Sequence, residues 1–142
     1  NKQDNTRPWG GFFVIEEKEA EKFINLYFSH LTKEALNISG KLSPKILVVA
    51  PEKRLSWQYH HRRAEIWKLI GGTVDVAISD NDEEKETQHL NSGDIIQLKQ
   101  GERHRLIGLE GWGIVAEIWL HTDAKNPSDE DDIVRLQDDF GR

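Results

Sequence analysis

A series of short apolar runs separated by turn residues dominates the chain from residue 45 onward, and this pattern constrains the fold more than any other feature. The runs are rich in β-branched residues, several alternate between apolar and polar positions, and turn-forming residues stand between them. They occupy residues 46–50, 55–61, 65–70, 73–79, 95–98, 105–109 and 114–120. Many short strands with turn signals at such spacing predict an antiparallel β-sandwich or barrel.

Two connections between these runs carry predictions of their own. Gly71-Gly72 separates two runs and predicts a hairpin turn. The tract at 80–88 predicts a surface loop, because it is rich in carboxylates and has no apolar periodicity.

The first part of the chain follows a different period. Residues 1–6 are polar and are expected to be loose, a turn at 7–11 follows, and the apolar run 12–15 predicts a strand. Apolar residues then recur with the spacing of one helix face, at Ala20, Phe23, Ile24, Tyr27, Phe28 and Leu31. We therefore expect a helical segment within residues 16–43, since Ser43-Pro44 disfavours helix at its end.

Length and composition limit the class of protein. With 142 residues the chain can form one sizeable core, so we expect a single domain over 1–142. The absence of cysteine excludes a disulfide framework, a thiolate metal site and a cysteine nucleophile, and it favours a cytoplasmic location. No apolar run reaches the roughly 18 residues of a membrane span, so no membrane partner is expected.

The formal net charge of −6 is unevenly distributed. Most of the acidity lies in residues 80–86 and 129–142, and the rest of the chain carries a small positive excess. The acidic balance argues against a nucleic-acid partner. A phosphorylated small molecule remains a reasonable partner.

Four residues have the type and spacing of metal ligands. Gln58 and His60 are two apart on one predicted strand, so their side chains point to the same face. Glu65 begins the next strand and His104 begins a later one. Such a nitrogen and oxygen set suits a divalent transition metal: zinc, manganese, iron, cobalt or nickel. The alternative is a structural His60-His61 pair, with one imidazole buried and hydrogen-bonded and the other exposed.

The sequence around these residues resembles the two motifs of the cupin family, and within the cupins it is most similar to the type II phosphomannose isomerases. The likeness covers residues 7–15 and 45–142. The segments that carry it are Arg7-Pro8-Trp9-Gly10, Leu55-Ser56-(x)-Gln58-Tyr59-His60-His61, Arg63-Ala64-Glu65-(x)-Trp67, Gly101-Glu102-(x)-His104-Arg105-Leu106, Glu130-Asp131-Asp132-Ile133-Val134-Arg135 and Asp138-Asp139-Phe140-Gly141-Arg142. The resemblance implies an all-β cupin, a double-stranded β-helix or jelly-roll barrel, with a helical insert at 16–43 and a C-terminal strap at 122–142.

The chain also departs from that family pattern. Arg62 and Ile66 stand where the family has histidine, and Phe140 stands where tyrosine is usual. The nucleotidyltransferase domain that often precedes this cupin is not in the sequence. We therefore expect a stand-alone isomerase-like domain without guanylyltransferase activity.

The resemblance implies a metal-dependent aldose–ketose isomerase that interconverts mannose 6-phosphate and fructose 6-phosphate. The implied metal ligands are Gln58, His60, Glu65 and His104. Zinc is the first choice of metal. Arg105 is the implied catalytic arginine, although on a regular strand it would point away from the preceding histidine. The base that moves the proton is expected to be Glu117, with His61 as the alternative.

A hexose phosphate also needs binding groups, and arginine suits phosphate oxygens because its planar fork can donate two hydrogen bonds. The candidates are Lys45, Arg54, Ser56 and Arg142. The C-terminal tail has two open interpretations. One is a strap across an end of the barrel, anchored by Ile133, Leu136 and Phe140. The other is an arm that brings Arg135 or Arg142 to the mouth of the pocket.

Two other functions stay open at this point. One is a non-catalytic cupin that binds a sugar phosphate or a metal, which the altered family positions favour. The other is a different cupin enzyme, either a nucleotide-sugar epimerase or an iron-dependent dioxygenase. Since cupins of this kind commonly pair, the resemblance also implies a homodimer.

Overall fold

Two antiparallel β-sheets form most of the described part of the protein, and a helix packs on the outside of one of them. The structure, a computed structural model, describes residues 2–7, 9–29, 42–122, 125–129 and 131–139, and of residues 2–7 it describes the backbone alone. The strands in this part of the chain are β1 (Lys2–Arg7), β2 (Gly10–Val14), β3 (Lys45–Val49), β4 (Trp57–Tyr59), β5 (Arg63–Gly71), β6 (Val74–Ser79), β7 (Thr87–Leu90), β8 (Ile95–Leu98), β9 (Arg103–Gly108), β10 (Gly113–His121) and β11 (Val134–Gln137).

The strands divide between a six-stranded and a five-stranded sheet. The six-stranded sheet has the order β1-β2-β3-β10-β5-β8, and the five-stranded sheet has the order β11-β4-β9-β6-β7. Every pairing is antiparallel. The all-β expectation is thereby confirmed.

The main hydrophobic core lies between the two sheets. In β3, Leu47 and Val49 are buried while Val48 between them is partly exposed, as the two-residue period of a strand requires. Leu69 from the six-stranded sheet and Leu106 from the five-stranded sheet are fully buried in the same cluster. Each such side chain stabilises the fold by about 1.5–3 kcal/mol through burial.

The helix α1 (Ala20–Tyr27) follows a single 3₁₀ turn (Glu17–Glu19) and covers the outer face of the six-stranded sheet. Its buried side chains form a second cluster with Ile66 and Ile118, which point outward from the sheet. The predicted helix ran on to Leu31, whereas α1 ends at Tyr27, and Leu31 lies outside the described residues. Within those residues, no helix combines the length and apolar character of a membrane span.

The prediction of a hairpin at Gly71-Gly72 is wrong, because β5 and β6 belong to different sheets. The two glycines carry the chain across from one sheet to the other. Gly72 has a φ of +73°, and a Cβ there would lie 2.2 Å from the carbonyl oxygen of Trp112. The conformation and the close approach both require glycine.

Two segments expected to lack regular structure form strands. Residues 1–6 were expected to be loose and residue 7 to begin a turn, but residues 2–7 form β1 and pair with β2. Residues 87–88 fall in the predicted loop 80–88, but they begin β7, an edge strand that pairs with β6. In β7 only Leu90 is buried, which explains why no apolar alternation marks it.

Candidate metal centre

Three of the four predicted metal ligands meet between the two sheets. His60 directly follows β4, Glu65 lies in β5, His104 lies in β9, and each is at most 2% exposed. His60 Nε2 lies 3.4 Å from Glu65 Oε2, and His104 Nε2 lies 3.5 Å from Glu65 Oε1. One ligand atom of each residue falls within 4.8 Å of the others. The three side chains can therefore reach one ion.

Main-chain carbonyl groups hold both imidazoles with the same ring atom toward Glu65. His60 Nδ1 lies 2.7 Å from the carbonyl oxygen of Asp132, and His104 Nδ1 lies 3.1 Å from that of Glu102. A carbonyl oxygen only accepts hydrogen bonds, so each Nδ1 must carry the proton. Each Nε2 then presents a lone pair to the cluster, which is the tautomer that a metal ligand needs.

The charge states of the cluster also suit a cation. Burial lowers the pKa of His60 to about 4 and lowers the pKa of His104, so both rings are neutral at pH 7. Burial alone would raise the pKa of Glu65, but the Arg63 guanidinium and the two imidazoles lower it to about 2. Two neutral imidazoles and one carboxylate are the forms that bind a divalent metal.

Two atoms of the cluster lack any hydrogen-bond partner within the described structure. They are Glu65 Oε1 and His104 Nε2, and both are buried. A buried polar atom without a partner costs about 1–3 kcal/mol. A divalent cation bound to both atoms would remove that cost, so the residues present fit a metal.

Gln58, the fourth predicted ligand, lies on the same inner face. It pairs directly with His104 across β4 and β9, and it lines the same cavity as Glu65. Its Oε1 accepts a hydrogen bond of 2.6 Å from Ser56 Oγ, and Ser56 is fully buried. Ser56, predicted to bind substrate, thus orients the Gln58 amide.

Arg63 connects the cluster to the C-terminal segment. Its Nε donates to Glu65 Oε2 at 2.8 Å, and its Nη2 donates to His60 Nε2 at 3.2 Å. Its Nη1 donates to Ser128 Oγ and to the carbonyl oxygen of Asp129, both at 3.0 Å. The guanidinium therefore neutralises the Glu65 carboxylate and fixes its orientation.

Asp132 holds the turn that carries His60. Its carboxylate accepts hydrogen bonds of 2.9 Å from the peptide N–H groups of His61 and Arg62, and one of 2.6 Å from Ser128 Oγ. Burial alone would raise the pKa of Asp132, but these bonds lower it to about 2. Because its carbonyl oxygen also accepts from His60 Nδ1, Asp132 contacts both the ligand and the turn beside it.

The cluster opens into a cavity of about 440 Å³ whose wall carries a second buried carboxyl group, Glu117. Glu117 Oε2 accepts a hydrogen bond of 2.7 Å from Trp67 Nε1, and Oε1 accepts one of 2.8 Å from Trp119 Nε1. Burial and the nearby Glu65 raise the pKa of Glu117 to about 7. Lys45 pairs with Glu117 across β3 and β10, and its Nζ lies 4.5 Å from the centre of the Trp119 ring. The cavity thus combines a group of side chains that could hold a metal ion with a carboxyl group whose pKa lies near neutral pH.

Arg105 lies on the opposite face of its strand. β9 pairs with β6 in an unbroken register, so Arg105 points away from His104, as strand alternation predicts. Its guanidinium donates to the carbonyl oxygen of Leu55, to Glu84 Oε1 and to the carbonyl oxygen of Gln137. Arg105 therefore holds the outer surface of the five-stranded sheet together, and it does not line the cavity.

The other predicted site residues lie apart from the cluster. Arg54 donates to Asp139 in a 2.6 Å ion pair and is not among the cavity-lining residues that the structure describes. The side chain of His61 is exposed, with its ring edge toward Tyr59. Arg142 lies outside the described residues.

Sequence reasoning did not assign the site roles of Arg63, Asp132 and the two tryptophans that hold Glu117. Arg63 was detectable, because it stands two residues before Glu65 on one strand and so shares its face. Asp132 had no local signal, since it contacts His60 across 72 positions of sequence.

Solved structures with a similar fold are cupins. The oxalate decarboxylase of Lactobacillus farciminis has a TM-score of 0.65 and 15% identity over 95% of this chain and 33% of that chain. A cupin 2 conserved barrel domain protein of Salinispora arenicola has a TM-score of 0.51 and 21% identity, covering 63% of this chain and 69% of that one. At these identities the likeness shows the fold alone, and the fold is a cupin.

Curated relatives are longer proteins that the chain matches in part. The alginate biosynthesis protein AlgA of Pseudomonas aeruginosa is 30% identical over 124 residues, 87% of this chain and 24% of AlgA. The mannose-1-phosphate guanylyltransferase ManC of Salmonella typhimurium is 29% identical over 77% of this chain and 21% of ManC. The chain thus spans about a quarter of the length of these relatives.

A family model described as the mannose-6-phosphate isomerase C-terminal domain matches residues 16–138. The match includes residues 16–43, which were expected to be a helical insert, as well as the barrel strands and the three candidate metal ligands. The chain therefore belongs to the mannose-6-phosphate isomerase C-terminal family.

Proposed function

We propose that the protein is a metal-dependent aldose–ketose isomerase that interconverts mannose 6-phosphate and fructose 6-phosphate. The observation that carries this proposal is the pair of unpartnered buried atoms, Glu65 Oε1 and His104 Nε2, in a cavity wall that also holds Glu117 with a pKa of about 7. Membership of the mannose-6-phosphate isomerase C-terminal family supports a sugar phosphate as the substrate.

The reaction moves one proton between C1 and C2 of the open-chain sugar. In the aldose-to-ketose direction a base removes the proton bonded to C2, a proton is returned to C1, and the proton of the C2 hydroxyl is transferred to the oxygen on C1. Glu117 is the proposed base, because burial raises its pKa above the ordinary carboxyl value, and such a group can both accept and return a proton near neutral pH. The two indole N–H groups keep its oxygens in a fixed direction.

Gln58, His60, Glu65 and His104 would hold the metal. When bound, a divalent cation supplies positive charge that polarises the oxygens on C1 and C2. Zinc is the proposed ion, with manganese, iron, cobalt and nickel as alternatives, since the ligand atoms are nitrogen and oxygen. Arg63 keeps Glu65 ionised and oriented for this role.

The remaining predicted residues receive different proposed roles. Lys45 lines the cavity beside Glu117, so we assign it to the sugar hydroxyls at the metal end. Arg54 and Arg105 support the outer surface of the barrel through their bonds to Asp139 and Gln137. Arg142 stays a candidate for the substrate phosphate.

An isomerase assay on protein with known metal content tests the proposal. We expect metal-loaded protein to convert mannose 6-phosphate to fructose 6-phosphate, as detected by coupled oxidation of the product. Chelation should abolish the conversion, and restoring zinc or manganese should recover it. If folded, metal-replete protein converts no hexose phosphate, the proposal is wrong.

A non-catalytic cupin that binds a sugar phosphate is the second candidate. The observation that favours it is the position of Arg63, whose guanidinium donates to His60 Nε2 and Glu65 Oε2, two of the atoms that would bind the metal. Calorimetric binding of mannose 6-phosphate without turnover, by protein with or without metal, would favour this second function.

We also propose a cytoplasmic location and a homodimer. The location is supported by the absence of cysteine, and the dimer by the pairing that the cupin resemblance implies. Light scattering coupled to size exclusion should give twice the chain mass of 16.4 kDa. A single-chain mass at micromolar concentration would contradict the dimer.

A further inference from the structure

A row of three side chains crosses the five-stranded sheet from its edge to the metal cluster. Arg135 on β11 lies directly opposite Gln58 on β4, and Gln58 lies directly opposite His104 on β9. Residues paired in this way have side chains on the same face of a sheet. Since neighbouring strands are about 4.8 Å apart, the Arg135 backbone lies about 10 Å from that of His104.

Alternation along the chain brings Ile133 and Arg135 to the cavity, and an irregularity in β11 then turns Gln137 to the outer face. The register pairs Arg135 with Gln58 but Gln137 with Trp57, so one extra residue is inserted between them. Such a bulge places Arg135 and Gln137 on opposite faces, whereas a regular strand would place both on one face. Gln137 accordingly bonds Arg105 on the outer face, and Arg135 lines the cavity.

Three cationic side chains line the cavity within the described residues, and they differ in how deeply they are buried. Arg63 is 6% exposed and donates to Glu65, His60 and Ser128. Lys45 is 5% exposed and lies between two aromatic rings beside Glu117. Arg135 is exposed, at the edge strand where the cavity opens.

The shape of the substrate also directs its phosphate to the cavity mouth. In a hexose 6-phosphate the phosphate is attached at the opposite end of the carbon chain from C1 and C2. A sugar whose C1 and C2 lie at the metal ligands therefore extends its phosphate away from them, toward the edge strand that carries Arg135.

We infer that Arg135 binds the phosphate group of the substrate at the mouth of the cavity, an inference that rests on the proposed function. The guanidinium fork donates two parallel hydrogen bonds to a phosphate, which a lysine cannot do. Arg135 thereby selects phosphorylated sugars over free sugars and fixes the distance between the phosphate and the metal cluster.

Substitution of Arg135 on metal-loaded protein tests the inference. We compare the wild type with Arg135→Gln, which removes the charge, and Arg135→Lys, which keeps the charge but not the fork. Arg103→Gln is the matched control, because Arg103 pairs with Asp82 outside the cavity. For each protein we measure metal content, melting temperature, isomerase kinetics, and calorimetric binding of mannose 6-phosphate and of inorganic phosphate.

For Arg135→Gln we expect KM and Kd for mannose 6-phosphate to increase by about 10- to 100-fold, because the variant loses a charge-assisted hydrogen bond to the phosphate. We expect kcat, metal content and melting temperature of Arg135→Gln to stay near those of the wild type. The KM and Kd of Arg135→Lys should lie between those of the wild type and Arg135→Gln, and those of Arg103→Gln should equal the wild-type values.

If Arg135→Gln binds both phosphate probes as tightly as the wild type, the inference is wrong even when the isomerase is active. If the wild type binds mannose 6-phosphate through Arg135 but never converts it, the proposed function fails and the inference stands. Wild-type protein that binds no mannose 6-phosphate overturns both.

Discussion

Among single residues, Glu117 shows how burial and hydrogen bonding set the state of a carboxyl group. Burial favours the neutral acid, and the nearby Glu65 carboxylate acts in the same direction. Lys45, Arg63 and the Trp119 indole N–H favour the ionised form and only partly compensate. The resulting pKa of about 7 leaves both protonation states accessible at neutral pH. A structural carboxylate in an ion pair would instead have a lowered pKa.

Glu117→Gln should lower kcat by about 100-fold or more, because the base is removed at nearly unchanged side-chain volume. In the metal-loaded wild type we expect kcat/KM to rise with pH and to level off once Glu117 is ionised. A bound cation near Glu65 lowers the pKa of Glu117, so the midpoint should fall below 7. Steady-state kinetics from pH 4.5 to 8.5 measure both effects, with Glu110→Gln on the exposed surface as the control. An unchanged kcat in Glu117→Gln would assign the base elsewhere.

Asp132→Ala should reduce the free energy of unfolding by about 2–4 kcal/mol, since three hydrogen bonds to one carboxylate are lost. The folded-state pKa of about 2 is below the ordinary value of 3.8, so this stabilisation is fully present above pH 4 and declines as the pH falls toward 2. Urea unfolding at pH 7 and at pH 3 should therefore show a smaller difference between wild type and variant at pH 3. An equal difference at both pH values would mean that the charge of Asp132 is not what stabilises the turn.

At the level of elements, α1 and the cavity use opposite faces of the six-stranded sheet. Ile66 and Ile118 point outward to α1, while Glu65 and Glu117, in the same two strands, point inward. Glu17, just before α1, is bonded to the chain that leads into β3. Its carboxylate accepts hydrogen bonds from the peptide N–H groups of Leu42 and Ser43. The helix therefore supports the sheet that carries the site without contacting the site.

Ile24→Ala should destabilise the protein by about 2–4 kcal/mol, because Ile24 is 1% exposed at the centre of the helix–sheet contact. Leu26→Ala is the matched control on the same helix, and at 69% exposure it should change stability by no more than about 0.5 kcal/mol. Urea unfolding measures both variants. The two variants should bind metal with equal affinity. A loss of metal from folded Ile24→Ala would contradict the view that the helix and the metal site use independent faces of the six-stranded sheet.

For the whole molecule, the main feature is that the two sheets each contribute side chains to the candidate metal site. Glu65 belongs to the six-stranded sheet, and His104 belongs to the five-stranded sheet. An ion held by both would link the sheets directly. The same region is tied to the C-terminal segment by Arg63 and Asp132, so the site depends on three separate parts of the chain.

The sequence predicted those parts of this arrangement that follow from local periodicity and residue type. Strand alternation placed Gln58 and His60 on one face and turned Arg105 away from His104, and both expectations agree with the structure. Pairing between distant strands is not encoded locally, which is why Gly71-Gly72 resembled a hairpin although it joins two sheets. The bulge that turns Gln137 to the outer face likewise depends on the pairing of β11 with β4.

Equilibrium zinc binding to the metal-free protein tests the central claim most directly. We compare the wild type with His104→Ala, which removes one ligand, and with His89→Ala, whose ring bonds Asp75 on the exposed edge strand. The wild type and His89→Ala should bind one zinc ion per chain, and the zinc affinity of His104→Ala should be lower by more than about 100-fold. Loss of a residue that only hydrogen-bonds a metal ligand lowers metal affinity by about 10- to 100-fold, so a larger loss indicates a direct ligand. Equal zinc affinity in all three proteins would contradict a metal centre at His60, Glu65 and His104.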